Sequence, residues 1–421
     1  MNDKLAGQGA RPISRLAAGN CGFLFLSFAA CALMNALPQI FYARYAGEQR
    51  ALLLSASLFL AAILSVLGNR TAQRNSPLLC SRAVFYGTAC ATVTLVLVCA
   101  WQTDIPVPVY FLCQLVLAFV MSCFLQLLDR RVSESAGEAH RSTNDLMTNL
   151  FRFCGMLLAP LWFWLFAPGT LPAMLGTLLF ACCVVVSLSS VKGVTTNTLK
   201  PAAAGTHSAF SERLFLGFAM MVYATYGILS ASLAYLLSEL TGQDASRDAL
   251  LLIVMIFASA LGFTAVCLMF GLRLGRRLML VAPGVVAVSG FFLPPMLMLG
   301  TATQVAGCVV FGVAYGSYML VMRDVLSDFA LRRRSSHYIA WFNNVPNVGA
   351  IFGFGLLALI AVVCRLGGYS FAAVVTVFVS VFAGVQVVMA LCFLAGVGAA
   401  PDTDASDAAV PAGETGSVVP Q

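Results

Sequence analysis

Apolar runs of roughly 20 residues recur along the chain, each closed by a short polar break. An α-helix of about 20 residues spans the ~30 Å hydrocarbon core of a bilayer. The spacing therefore predicts a polytopic helical membrane protein. A lipid-spanning barrel would instead need strands of about 10 residues with alternating polarity, and that pattern is absent from the sequence. Composition agrees: 60% of the residues are hydrophobic and 10% charged, whereas a soluble domain is about 45–50% apolar and about 25% charged. Such a chain cannot cover a water-facing surface, so lipid is its solvent and helices are its spanning elements.

The runs predict twelve spans, near 20–43, 51–68, 83–101, 106–128, 146–167, 170–190, 214–238, 249–271, 278–299, 303–323, 338–363 and 370–396. With the N-terminus in the cytosol, 19 of the 24 Lys and Arg fall in cytosolic segments, four fall outside, and Arg152 lies within a span. Positive charge marks the cytosolic side, so both termini are expected there. The bias also requires an even span count, because one extra helix would invert every later loop. The net charge of +7 is spread over separate short loops, which argues against nucleic acid as a partner. The basic start with Lys4, Arg11 and Arg15 looks like a signal peptide, but the following run reaches about Phe41. That is longer than a signal h-region, and it is read as the first span. The 14 Cys lie almost all within apolar runs and form no C-x-x-C pair. They read as small packed residues, with no cofactor or metal implied.

The chain divides into an N-terminal tail (1–18), a six-helix bundle (19–190), a linker (191–213), a second six-helix bundle (214–399) and an acidic tail (400–421) expected to be disordered. The halves echo each other at a fixed offset. Ser133-Glu134-Ser135-Ala136 matches Ser327-Asp328-Phe329-Ala330, Asn149 matches Asn343, and Gly155 matches Gly349. The loop after span 2, Asn69-Arg70-Thr71-Ala72-Gln73-Arg74, and that after span 8, Leu272-Arg273-Leu274-Gly275-Arg276-Arg277, are both tight and basic. Parallel six-span repeats are a transporter architecture.

At these residues the chain resembles the major facilitator superfamily, whose G-x-x-x-D-R-x-G-R-R signature follows helix 2 and often helix 8. The second copy here keeps Arg273, Gly275, Arg276 and Arg277, with Leu272 in place of Asp. The first keeps Arg70 and Arg74, with Ser65, Asn69 and Ala72 in place of Gly, Asp and Gly. The resemblance implies that spans 1, 4, 7 and 10 line a central cavity, that 2, 5, 8 and 11 flank it, and that 3, 6, 9 and 12 face outward. It further implies a monomer moving a small solute, and a gate in which Asp129 and Asp324 pair with Arg70 and Arg273 in one state and separate in the other, with Arg276 and Arg277 as further gating residues. Polar residues are costly in lipid, and their placement fits: spans 3, 6, 9 and 12 carry only Gln386 among Asn, Gln, His and charged residues.

Candidate solute contacts follow from polarity inside the cavity spans. Asn35, Gln39 and Tyr42 share one helical face around Pro38, which is expected to kink the span. Gln114 lies in span 4. Asn149 and Arg152 share a face of span 5 with Asp145, and Arg152 must face the bundle, snorkel or meet an anion. Tyr223, Tyr226, Tyr315 and Tyr318 fall in spans 7 and 10. Asn343, Asn344 and Asn347 cluster around Pro346 in span 11. No Asp or Glu lies deep in a span, so either the solute moves without proton coupling or the coupling group is near an end, at Asp129, Asp324 or Glu239. Two other readings stay open. Gly312–Met322 and the polar span 11 also resemble equilibrative nucleoside transporters, which have eleven spans. A non-transporting scaffold or receptor is the other. No nucleophile triad, metal-ligand set or phosphate loop suggests an enzyme. The short loops suggest a bacterial inner membrane.

Overall fold

Among the described residues the apolar runs become helices, because lipid offers backbone groups no hydrogen-bond partner outside the segment itself. The computed structural model describes residues 14, 16–43, 45, 47–74, 89, 94, 105–136, 141–166, 170–190, 209–241, 246–270, 299–332 and 337–398. Among them are ten helices: α1 (Leu16–Phe41), α2 (Gly47–Arg74), α3 (Val107–Ala136), α4 (Arg141–Leu165), α5 (Leu171–Ser190), α6 (Ala209–Thr241), α7 (Ser246–Met269), α8 (Thr301–Arg332), α9 (His337–Gly367) and α10 (Phe371–Gly398). Eight of these are long and apolar enough to cross a membrane. A ninth is added if the two parts of α6, which meet at 43°, are taken as one span. The predicted spans at 83–101 and 278–299 lie almost wholly outside the described residues. Several helices run past their apolar windows, as α3 does to Ala136 and α8 to Arg332, because a helix can continue once its polar turns reach water.

The helices pack in matched pairs. α1 lies on α4 and on α5, as α6 lies on α9 and on α10; α2 lies on α3, as α7 lies on α8. Two further pairs, α2 with α9 and α4 with α7, join the first half of the chain to the second. Lipid gives helices no hydrophobic reason to associate, so small residues that let backbones approach become decisive. Gly155 on α4 sits where a Cβ would lie 2.2 Å from the Leu24 carbonyl oxygen of α1, and Gly349 on α9 where it would lie 2.4 Å from that of Met220 on α6. The two glycines matched in sequence thus make the same close approach in the two halves. α5 and α10 turn apolar stripes outward, with Leu171, Leu175, Leu178 and Leu179 exposed on one and Val377, Val381, Val385 and Val388 on the other. Gln386 points inward from α10 and donates to the Met221 carbonyl and to Thr225 Oγ1 of α6.

Pro38 acts differently from a simple kink. The helix widens to π register over Ala32–Ala36, and the Leu37 N–H reaches back to the Ala32 carbonyl. In that register the Leu33 carbonyl should receive the N–H of residue 38, which proline lacks. Tyr110 Oη and Gln114 Nε2 of α3 both donate to it instead, each at 3.1 Å. The proline therefore creates a docking point for α3. Tyr110→Phe is expected to cost about 0.5–1.5 kcal/mol, the worth of one such bond, measured by denaturant unfolding in mixed micelles. A cost within error of zero would mean that the Leu33 carbonyl is satisfied without Tyr110.

Candidate functional site

The packing of α1, α3, α4, α8 and α9 leaves a cavity of about 210 Å³. Its wall comes from both halves. Leu26, Ser27, Leu33 and Met34 come from α1; Gln114, Met121 and Leu125 from α3; Asn149, Arg152, Phe153 and Met156 from α4. Tyr223 of α6, Tyr315 and Met319 of α8, and Pro346 and Asn347 of α9 complete it. Most of this lining is apolar, and the methionine side chains supply soft, adaptable surface.

The amides are positioned by their helices. Gln114 is fully buried; with its Nε2 on the Leu33 carbonyl, its Oε1 has no hydrogen-bond partner. Asn149, one turn before Arg152, is also buried, and its Nδ2 has none. Unmatched buried polar atoms each cost about 1–3 kcal/mol, and native folds retain few of them without a reason.

Arg152 does not snorkel. It is 8% exposed, and its Nη2 lies 3.5 Å from Asp129 Oδ2 of α3, with Asp129 itself 2% exposed. The Phe23 ring of α1 stacks on the guanidinium at 4.9 Å from its centroid, a contact favourable for arginine. Arg70, expected to pair with Asp129 in one state and to separate from it in the other, lies exposed on α2. Next to this pair, at the end where α1 begins, Asn20 ties α1 to α4. Its Nδ2 donates to Asn144 Oδ1 at 2.9 Å, and its Oδ1 accepts from Thr148 Oγ1 at 2.6 Å.

Of the other expected contacts, Tyr223, Tyr315 and Asn347 line the cavity, whereas Asn35, Gln39, Tyr226, Tyr318 and Asn344 are not part of its wall. Tyr226 stacks on Tyr315 with centroids 5.2 Å apart, Tyr223 directs its hydroxyl to the Met319 sulfur at 2.8 Å, and Tyr318 to that of Met322 at 2.9 Å. Asn35 donates to the Cys31 sulfur at 3.7 Å. Asn343 and Asp324 lie on α9 and α8, but their side chains are outside the described residues, as are Arg273, Arg276 and Arg277 altogether.

Two links between the halves had no obvious sequence signal. Asn69 Nδ2 of α2 donates to Asn344 Oδ1 of α9 at 3.1 Å, towards the end of the bundle that carries the basic loops. At the far end, Arg50 was expected in a loop but lies in α2 and is 4% exposed. Its Nη2 donates at 3.2 Å both to the Gln39 carbonyl of α1 and to Ser246 Oγ of α7. Also at that end, Glu239 of α6 accepts from Ser370 Oγ and from the Ala372 N–H at the start of α10, which caps the helix and complements its dipole.

This arrangement has known counterparts. Neither a family model nor a curated protein sequence matches the chain. Solved structures do. Two crystal structures of the nucleoside transporter NupG, one of them a point mutant, superpose with TM-scores of 0.60 and 0.58 at 16% identity, covering 91% of this chain and 99% and 98% of theirs. The human organic anion transporter MFSD10 (TETRAN) superposes with a TM-score of 0.65 at 12% identity, covering 91% of this chain and 99% of that one. The chain shares the fold of these transporter structures. The cavity sits where the two halves meet, walled by the first, fourth, seventh and tenth predicted spans with help from the second, fifth and eleventh.

Proposed function

We propose that the chain is a transmembrane transporter that moves a small solute by alternating access between two six-helix halves. The observation that carries this reading is the cavity, which is walled by helices of both halves, with buried, unmatched amide atoms in the residues around it. The interface around it has polar links at both ends, Asn69–Asn344 at one and Arg50–Ser246 at the other. Opening the cavity to either side requires one link to break while the other can hold, which is how two packed bodies alternate. The matched helix pairs support twelve spans in two repeats, divided as 19–190 and 214–399 around a linker at 191–213. The basic loops support cytosolic termini, and a bacterial inner membrane is the proposed location. Arg70, Arg273, Arg276, Arg277 and Asp324 are proposed as gating groups, together with Asp129 of the Arg152–Asp129 pair. An equilibrative nucleoside-type carrier would share the same transport core and differ in span count. NupG is described as a nucleoside transporter and MFSD10 as an organic anion transporter, so solute transport is common to both.

A mixture of solutes tests this without first choosing one. Purified chain is reconstituted into vesicles and offered many small solutes that do not cross protein-free membranes, and the lumen is read by mass spectrometry. Saturable, chain-dependent entry of at least one solute is expected. Entry of none, with the chain folded and inserted, would replace the transporter with the scaffold or receptor reading.

A further inference from the structure

We infer that the cavity is an apolar subsite that receives an uncharged hydrocarbon group of the solute, either one aromatic ring or a branched aliphatic chain, and selects solutes by that group. This inference rests on the transport reading and names what its site recognises.

The polar residues of the wall turn their polar atoms into the protein. Gln114 donates from Nε2 to the Leu33 carbonyl at 3.1 Å, and its Oε1 has almost no accessible surface. Asn149 Nδ2 and Arg152 Nε and Nη2 are withdrawn in the same way. Ser65 Oγ of α2 donates to the Ala118 carbonyl of α3 at 3.4 Å, and the Tyr223 hydroxyl is directed to the Met319 sulfur at 2.8 Å. Ser122 and Asn347 keep partial exposure. The surface that remains for a solute to touch is overwhelmingly carbon and sulfur, from Met34 of α1, Met121 and Leu125 of α3, and Phe153 and Met156 of α4. Thioethers adapt their shape to an apolar guest, whereas a charge or an amide brought here would lose water without gaining partners.

Volume sets the size of that group. Dry apolar cavities of about 150 Å³ bind benzene, and pockets for drug-sized ligands occupy about 300–1,000 Å³. This cavity holds about 210 Å³, room for one substituted ring. Its position favours a solute over a lipid chain. The wall is drawn from both halves, and neither α5 nor α10, the helices whose apolar stripes face outward, contributes to it.

The test uses the purified full chain in nanodiscs and fragments of one size: toluene, ethylbenzene and methylcyclohexane against benzamide, benzoate and benzylammonium. Equilibrium dialysis reads binding as the saturable excess over empty nanodiscs, which removes partition into lipid. The hydrocarbons are expected to bind, with the amide, carboxylate and ammonium partners weaker by about tenfold or more. Met156→Gln, which places an amide in the wall at similar length, should weaken the hydrocarbons by a like factor while the melting transition stays cooperative. Should that variant fold poorly, Ala30→Leu gives the same reading by narrowing the cavity without adding a polar group. Tighter binding of benzamide or of either ion, unchanged binding in both variants, or no saturable binding of any hydrocarbon would each overturn the inference. So would native mass spectrometry showing one retained lipid per chain that no hydrocarbon displaces, which would assign the cavity to an acyl chain. Chain-dependent vesicle entry alongside any of these results would leave transport standing and remove only the apolar subsite. Hydrocarbon binding without vesicle entry of any solute would instead remove the transport reading, and with it the subsite's role.

Discussion

Asp129→Leu is expected to destabilise the folded chain by about 3–5 kcal/mol, the usual consequence of removing one member of a buried ion pair. Arg152 is then left in a nearly solvent-free site without the carboxylate that lies 3.5 Å from it. Arg152→Met should act alike, because Asp129 is buried at 2% exposure. The double variant is expected to recover most of the loss, since apolar groups of similar volume replace both charges and no ion remains to be desolvated. Denaturant unfolding of the four proteins in mixed micelles gives the coupling directly as a double-mutant cycle. Additive losses would show that the two side chains stabilise the bundle separately.

The second large effect concerns backbone approach. Gly155→Leu and Gly349→Leu are each expected to abolish assembly of their half, seen as loss of the monodisperse species by size-exclusion chromatography. Even Gly155→Ala should cost about 1–3 kcal/mol as an overpacking change, because its Cβ would stand 2.2 Å from the Leu24 carbonyl oxygen. Gly262→Ala and Gly384→Ala are the controls. A Cβ at either meets nothing within 4 Å, and alanine is a better helix former than glycine by roughly 1 kcal/mol, so both should be neutral or stabilising. Equal behaviour of the four sites would mean that glycine serves no packing role in α4 and α9.

Much of this architecture is legible in the chain itself. Helix positions follow from hydropathy, because transfer of a segment into lipid is a sum over its own residues. The cavity-side location of Gln114, Asn149, Arg152, Tyr223, Tyr315 and Asn347 follows from polarity, because lipid excludes amides and charges from its face of a helix. Gly155 and Gly349 stand out by their common offset, and both mark close approaches of their helices.

Pairing is harder to read. Arg50 sits beside a span boundary and looks like a loop charge, yet α2 begins at Gly47 and buries it against Ser246 of α7. Asn69 occupies a signature position where an acid is expected, and its amide instead reaches Asn344 across the interface. Pro38 is expected to bend α1; its larger consequence, a Leu33 carbonyl that holds Tyr110 and Gln114, depends on a helix distant in sequence.

Residence in lipid, the course of the helices and the residue types kept from the lipid face are all set by local composition and the 3.6-residue period, and a linear chain carries both. The neutralisation of Arg152 by Asp129, the links that Arg50 and Asn69 make at opposite ends, and the polar atoms left unmatched beside the cavity emerge once the helices pack. Those outcomes depend on distances of a few ångströms between helices far apart in the chain. Hydrogen bonds and ion pairs weaken steeply over such distances, and neither composition nor periodicity encodes them.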